Sequence, residues 1–423
     1  MTPEIKQRIE QVQRGEVPEG YKKTKVGIIP NEWEETHFKT MFSRVTRKNK
    51  EGNDNVLTIS AQYGLISQRD FFNKDIASED KTNYYLLNNG EFAYNKSYSN
   101  GYPFGALKRL DMYDKGIVSP LYICFAATNK NKCPDFYLQY FEAGKMNREI
   151  QAFAQEGARN HGLLNIAVDD FFNSYIVAPS LTEQEKIAEI LFTQDKLIEL
   201  KEKLVEEKKK QKKALMQQLL TGEKRLPGFD NEWKDVLFKD CIAEIDERST
   251  ESNQYPILSV TKDGIVYQSE HFNKQIASDN NIGYKIVKRN QLAFSILNLW
   301  MGSVDVLSLC DIGIVSPAYK VFECVENILT PNFAKYFLRS YNVVWLYNVN
   351  SYTGASVVRK NLDLGSLLNE KFKLPSIKEQ LAIANILVVA DNEIELLKKE
   401  LEQEKQKKKA LMQLLLTGIV RVN

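Results

Sequence analysis

Apolar positions between residues 182 and 221 recur at mixed intervals of three and four. Ile187, Ile190, Leu191, Leu197, Ile198, Leu204, Val205, Leu215, Met216, Leu219 and Leu220 form one stripe, which predicts a single amphipathic helix. Pro179 precedes it, and Thr182-Glu183-Gln184-Glu185 supplies an N-cap with Glu at the third helical position, a capping box. Lys208-Lys209-Lys210-Gln211 interrupts the stripe, Gly222 is the expected C-cap, and Pro227 lies beyond. At about 1.5 Å per residue such a helix is roughly 60 Å long. A second stripe, Ile383, Ile386, Leu387, Ile394, Leu397, Leu401, Leu411, Leu414 and Leu415, follows Pro375 and Ser376-Ile377-Lys378-Glu379 and ends at Gly418. A lone helix cannot bury such a stripe. The two are therefore expected to pack on each other as a coiled coil. The alternative is that each packs on its own domain.

The segments between the helices differ in kind. Val56-Leu57-Thr58-Ile59-Ser60, Ile257-Leu258-Ser259-Val260 and Tyr122-Ile123-Cys124-Phe125 read as strands. Residues 136–141 and 333–338 read as short helices. Residues 31–181 and 223–375 are thus mixed α+β globules, with residues 1–30 an N-terminal helical segment and 182–222 and 376–423 the long helices. The chain also repeats itself at about 200 residues. Asn31-Glu32-Trp33 returns as Asn231-Glu232-Trp233, and Gly116-Ile117-Val118-Ser119-Pro120 as Gly313-Ile314-Val315-Ser316-Pro317. Phe72-Asn73-Lys74 returns as Phe272-Asn273-Lys274, and Lys212-Lys213-Ala214-Leu215-Met216-Gln217 as Lys408-Lys409-Ala410-Leu411-Met412-Gln413. A period that long marks a duplicated domain, not a solenoid. Similarity is high at the edges of the globules and low in their middles, as suits one job done on two targets.

Charge matters here by position. The net charge of +2 excludes bulk attraction to nucleic acid. Yet residues 95–110 and 327–362 hold no Asp or Glu, and local basic windows can form a phosphate-facing surface. None of the five cysteines forms a CxxC pair, so a zinc site is not expected and a reduced compartment fits. The N-terminus lacks an apolar h-region and no run approaches a membrane span, which points to a cytoplasmic protein.

Several chemistries lack their signatures. There is no GxxxxGK[ST], GxSxG or HExxH motif, and no glycine-rich cofactor turn. Of the three histidines, His37 and His271 read as surface or packing residues, and His161 lies in a loop. Pro134-Asp135 could open a nuclease carboxylate cluster, but the next E-x-K, Glu199-Leu200-Lys201, falls on a long helix. Catalysis by this chain alone is not expected, and neither a cofactor nor a metal.

Two kinds of loop could read DNA. The acid-free window carries Lys96, Ser97, Tyr98, Asn100, Tyr102, Lys108 and Arg109. Arg and Lys can pair with guanine, Asn with adenine, and Tyr can meet phosphate or a thymine methyl. Gly157 and Gly162 bracket Arg159, Asn160 and His161, a composition that brings backbone close to a ligand. The second copy offers Asn298 and Trp300, then Ser356, Arg359 and Lys360. For any single residue, a solvated turn is the competing reading.

Taken together, the two variable globules, the long helices opened by Leu181-Thr182-Glu183-Gln184-Glu185-Lys186 and Ser376-Ile377-Lys378-Glu379-Gln380, and the twice-used Ala-Leu-Met-Gln-x-Leu-Leu-Thr-Gly closing motif resemble the specificity subunit of type I restriction-modification enzymes. The resemblance covers the whole chain. Asn95-Lys96-Ser97-Tyr98 and residues 157–162 also resemble target-recognition stretches of that family. The second copy departs from both, with Ile296-Leu297 and Ser356-Val357 at those places.

The resemblance implies two similar mixed α+β target-recognition domains separated by two long helices forming an antiparallel coiled coil, pseudo-two-fold in arrangement. Each domain would read half of a bipartite double-stranded DNA site. The helices would set the gap and dock two methyltransferase subunits, with two restriction subunits joining. S-adenosylmethionine, ATP and Mg would belong to those partners. Residues 2–24 would pack near the distal helix and close a circular arrangement. The competing classes are a coiled-coil scaffold for proteins and an enzyme with an unrecognised site.

Overall fold

The computed structural model describes residues 2–60, 64–72, 80–98, 101–128, 133–156, 164–272, 280–353 and 360–422. The repeated stretches at 73–79 and 273–279 lie outside the described residues. The chain divides into two compact units, residues 1–201 with 400–423, and residues 202–399. Each unit therefore holds one globule, the near half of one long helix and the far half of the other.

In the first unit a four-stranded antiparallel sheet runs in the order Phe42–Arg44, Ile123–Ala127, Phe92–Asn95, Ala106–Arg109. The second unit repeats it as Ile242–Ile245, Tyr319–Cys324, Leu292–Ser295, Val304–Val306. Two-stranded ribbons flank each sheet, among them Leu57–Ser60 with Gly64–Ser67 and Leu258–Thr261 with Gly264–Tyr267. The expected strands are thus present with ends shifted by one or two residues, and the expected short helices span Pro134–Glu142 and Pro331–Phe337. The repeated Gly116 and Gly313 explain themselves: a Cβ on either would lie 2.4 Å from Leu57 or Leu258.

Phe38, Phe42, Phe92, Phe125, Tyr137 and Phe171 fill the first core, and Phe238, Phe294, Phe322, Phe333 and Tyr347 the second. Aromatic side chains of this size carry most of the apolar burial of such a core.

The long helices span Leu181–Leu220 and Ile377–Leu415. Within the first unit Asp195 pairs with Lys408, and Lys201 with Glu400. Within the second, Lys208 pairs with Glu393, and Lys212 with Asp391. As one number rises the other falls, so the paired segments run antiparallel in each unit. The expected alternatives are both realised. Ile187 and Leu191 share the first core with Leu415 and Leu416, and Leu219 and Leu220 share the second with Ile383 and Leu387. The stripe's middle is less buried than its periodicity implies. Leu197 and Leu204 are partly exposed while Val205 is buried, and ion pairs hold the helices there.

The first cap differs from expectation. The helix starts at Leu181, and the Ser180 hydroxyl, not Thr182, accepts the Glu183 amide at 3.3 Å. Ser376 caps Glu379 in the same way at 3.4 Å. The Glu side chains do not turn back on the caps. Glu183 accepts Arg421 and the Trp33 indole, and Glu379 accepts Arg225.

Gly222 and Gly418 end the helices at φ +74 and +70, as glycines expected at C-caps do. Trp233 lies against Gly222, and Trp33 against Gly418. Two of the repeated motifs thus pack on each other. An N-terminal helix, Pro3–Gln13, starts after Thr2, whose side chain makes no cap bond. Its Arg8 donates to the Ile419 carbonyl at 2.6 Å, and Tyr21 to that of Gly418 at 2.7 Å. The N-terminal segment therefore packs on the end of the distal helix. No helix among the described residues is long and apolar enough to cross a membrane.

Candidate nucleic-acid interface

The same hairpin carries the variable loop in both units. It connects a central strand to the sheet's edge strand: Phe92–Asn95 to Ala106–Arg109 in the first, Leu292–Ser295 to Val304–Val306 in the second. A sheet edge lets the connection change without disturbing the core.

The first loop is pinned at both ends. Asn95 Oδ1 accepts the Ser97 amide at 3.1 Å, and the Lys96 carbonyl accepts that of Leu164 at 3.0 Å. Tyr94 donates to the Phe104 carbonyl at 2.6 Å. Gly105 sits at φ +81, and a Cβ there would meet the Asn95 carbonyl at 2.3 Å. Gly105→Ala is therefore expected to cost more than about 2 kcal/mol through left-handed strain plus the clash. A denaturant titration of the variant checks it.

The predicted side chains then sort themselves. Tyr98 is 63% exposed, and Lys96 is half-buried, its pKa pulled down by that burial. Tyr102 and Lys108 turn inward. Lys108 is buried and donates to Tyr102 at 2.9 Å and to Glu142, which also accepts Tyr102 at 2.8 Å. Burial, reinforced by Glu142, pushes the Tyr102 phenol up. Arg109 reaches Asp135 at 2.5 Å and Asp111 at 2.6 Å. Burial lowers its pKa, but the two carboxylates outweigh this and leave it raised. Asp135, the possible nuclease carboxylate, is thus the counter-ion of an arginine.

In the second unit the loop is a short 3-10 turn, Leu299–Met301. Asn298 shapes it through its backbone carbonyl, which accepts the Met301 amide at 3.0 Å. Trp300 and Lys360, predicted separately, meet here: the Lys360 ammonium lies 5.1 Å above the indole ring. It also donates to Asn348 at 2.6 Å. The Trp300 indole nitrogen is buried and has no hydrogen-bond partner among the described residues. Asn100, Arg159, Asn160, His161, Ser356 and Arg359 lie outside the described residues.

Sequence reading missed Glu142, the residue that holds Lys108 and Tyr102. One signal was available: Asp135 and Glu142 stand seven apart on the helix Pro134–Glu142, hence on one face, opposite two cations. His37 Nδ1 donates to the Asn173 carbonyl at 2.7 Å and the ring lies against Tyr175, a packing role.

Comparison with known proteins bears on this arrangement. The family model for the type I restriction modification DNA specificity domain matches residues 34–209 and again 245–406. The chain is 26% identical over 440 aligned residues to a protein of Methanocaldococcus jannaschii described as the MjaX specificity subunit of a type I restriction enzyme, covering 96% of this chain and 97% of that protein. It is 27% identical to the MjaVIII specificity subunit of the same organism, over 73% of this chain and 75% of that one. A chain of a type I R-M system, solved to address its complex assembly and conformational transition, superposes with a TM-score of 0.56 at 16% identity, covering 93% of this chain and 99% of that chain. The HsdS subunit of Thermoanaerobacter tengcongensis gives 0.50 at 15%, over 93% and 98%. The structural likenesses bear on fold alone, and none of these findings favours a pure protein scaffold. The two matches of the family model follow the internal duplication, one per globule, and the chain belongs to the family of type I restriction modification DNA specificity domains.

Proposed function

We propose that this chain is the DNA-reading subunit of a type I restriction-modification complex and does no chemistry itself. Each globule reads one half of a bipartite duplex site. The long helices set the gap and dock two methyltransferase subunits, to which restriction subunits add. S-adenosylmethionine, ATP and Mg bind on those partners, and the complex works in the cytoplasm.

The observation that carries this reading is one sheet framework used twice with unlike loops at the same edge. A duplicated scaffold with divergent tips is what two different half-sites require. Docking on the helices is supported by Leu381, Val389 and Leu396, which are exposed at 44%, 66% and 62%. Their spacing puts them on one helical face, and apolar side chains repeated on one exposed face favour a protein partner.

The side-chain environments divide the candidate readers into two sets with different expected phenotypes. Tyr98→Ala with Lys96→Ala should weaken DNA binding and leave thermal stability unchanged, since neither side chain is packed in the core. Removing a single base-specific hydrogen-bonded pair should cost about 1–3 kcal/mol of binding. Lys108→Ala should do the reverse. It leaves the half-buried Glu142 carboxylate without its cation and with Tyr102 as its remaining donor, lowers the melting temperature, and leaves half-site identity alone. Melting curves and methylome mapping in cells that co-express the partners test both. Full specific binding by the Tyr98/Lys96 double variant would reject the loop as a reader.

A further inference from the structure

Behind the first reading loop is a crevice of about 450 Å³ between the turn after Pro134–Glu142 and the paired long helices. Four lysines line it, Lys145, Lys405, Lys408 and Lys409, against two carboxylates, Glu142 and Asp195. Both carboxylates are already engaged. Glu142 holds Lys108 and Tyr102, and Asp195 holds Lys408 and accepts Gln139 at 2.8 Å. The Lys145 ammonium makes neither an ion pair nor a hydrogen bond with any described residue, and burial pulls its pKa down. A half-buried ammonium without an ion-pair partner is a cost to the free chain.

We propose that this crevice receives a phosphate of the DNA backbone, with Lys145 as its principal ligand and Lys409 beside it. The inference rests on the reading that the chain binds duplex DNA, and it adds an anchoring point outside the loop. Three observations favour a phosphate over a protein carboxylate. Glu142 is shared between the crevice and the Lys108–Tyr102 network directly under the reading loop. A second crevice, lined by Lys108, Arg109 and Lys408 together with Asp111, Glu142 and Asp195, adjoins it through the same Glu142 and Asp195, so the opening continues toward the loop. The second unit repeats the helix side of the construction, with Lys213, Met216 and Gln217 in the places of Lys409, Met412 and Gln413, and with Arg339 as its other cation in place of a second lysine. A lysine is a compact point charge suited to a phosphodiester oxygen. Such an ion pair would fix register on the duplex without reading bases.

The test is the salt dependence of binding of the full-length chain to a pool of random-sequence duplexes. Removing one phosphate ion pair in Lys145→Gln should flatten the plot of log affinity against log salt by about one unit of slope. Between 50 and 200 mM salt this is roughly a threefold smaller fall in affinity. The free variant should melt at or above the temperature of the parent, because an uncompensated charge has been removed. The half-site sequences modified in cells should not change. Lys409→Gln, an exposed position, gives a second reading of the slope that does not depend on how the half-buried Lys145 site tolerates glutamine. An unchanged slope in both variants would overturn the proposal. So would an unchanged slope with loss of the co-purifying protein subunit, which would assign the crevice to an acidic segment of that partner. Failure of the parent chain to bind any duplex would overturn the DNA-reading function itself, and this proposal with it.

Discussion

Alanine at Arg225 or Arg421 is expected to cost about 3–5 kcal/mol, each in its own unit. The two arginines occupy equivalent places. Arg421 donates to Glu183 at 2.7 and 2.9 Å, and Arg225 to Glu379 at 2.7 and 2.8 Å. The glutamate side chains are only 5% and 2% exposed, so removing an arginine leaves a buried carboxylate uncompensated. The loss at Arg225 should be the larger. Glu183 keeps the Trp33 indole at 2.8 Å, whereas the Trp233 indole nitrogen has no hydrogen-bond partner among the described residues. Hydrogen exchange should show Arg421→Ala opening residues 1–201 with 400–423, and Arg225→Ala opening residues 202–399. Adding Glu183→Gln to Arg421→Ala should recover part of the loss, because the stranded charge goes with it. Equal loss in single and double variants would mean the arginine acts by packing alone.

Lengthening both long helices should change the gap of the recognised site and nothing else. Four residues added after Lys201 and four after Lys399 add one turn to each helix at the boundary between the units. That is about 6 Å, or nearly two base-pair steps of about 3.4 Å. Both half-sites should persist with a longer spacing. The same insertion after Val205 alone should fare worse. It moves Lys208 and Lys212 off Glu393 and Asp391 while the opposite helix stays in place. Methylome mapping reads both outcomes, and an unchanged gap with retained modification would reject the idea that helix length measures it.

The long helices were legible because forty residues of period-3.6 pattern leave little room for another structure. The cap was misplaced because Ser180 and Thr182 are both plausible hydroxyls two residues apart. The second copy could have decided it, since Ser376 corresponds to Ser180 and no hydroxyl stands at residue 378. The hairpin loop of the first unit was legible as an acid-free window, but its ion pairs were not. Glu142 and Asp135 lie on a helix outside the window, and counting local charge cannot see a partner that tertiary folding brings back. Trp300 and Lys360 were each found, yet sixty residues apart in sequence nothing announced that one would lie over the other. The Glu183–Arg421 clamp went unread for the same reason, although Arg225 and Glu379 repeat it.

The placement of Arg421 also sets an order of events during synthesis. The second unit is one continuous run of chain, complete once residue 399 has emerged. The first unit contains residues 1–201 but lacks Leu415, Leu416 and the clamp until residues 415–421 are made, after the whole of the second unit. Of the two units, the one whose translation starts earlier is therefore finished later. Its Ile187 and Leu191 must wait through some two hundred further residues for the surface that covers them, and at about 5–20 residues per second that delay is roughly 10–40 s. Nascent chains stalled before Leu415 should thus hold a folded second domain beside an open first one, a species in which chaperone binding would concentrate on the N-terminal half.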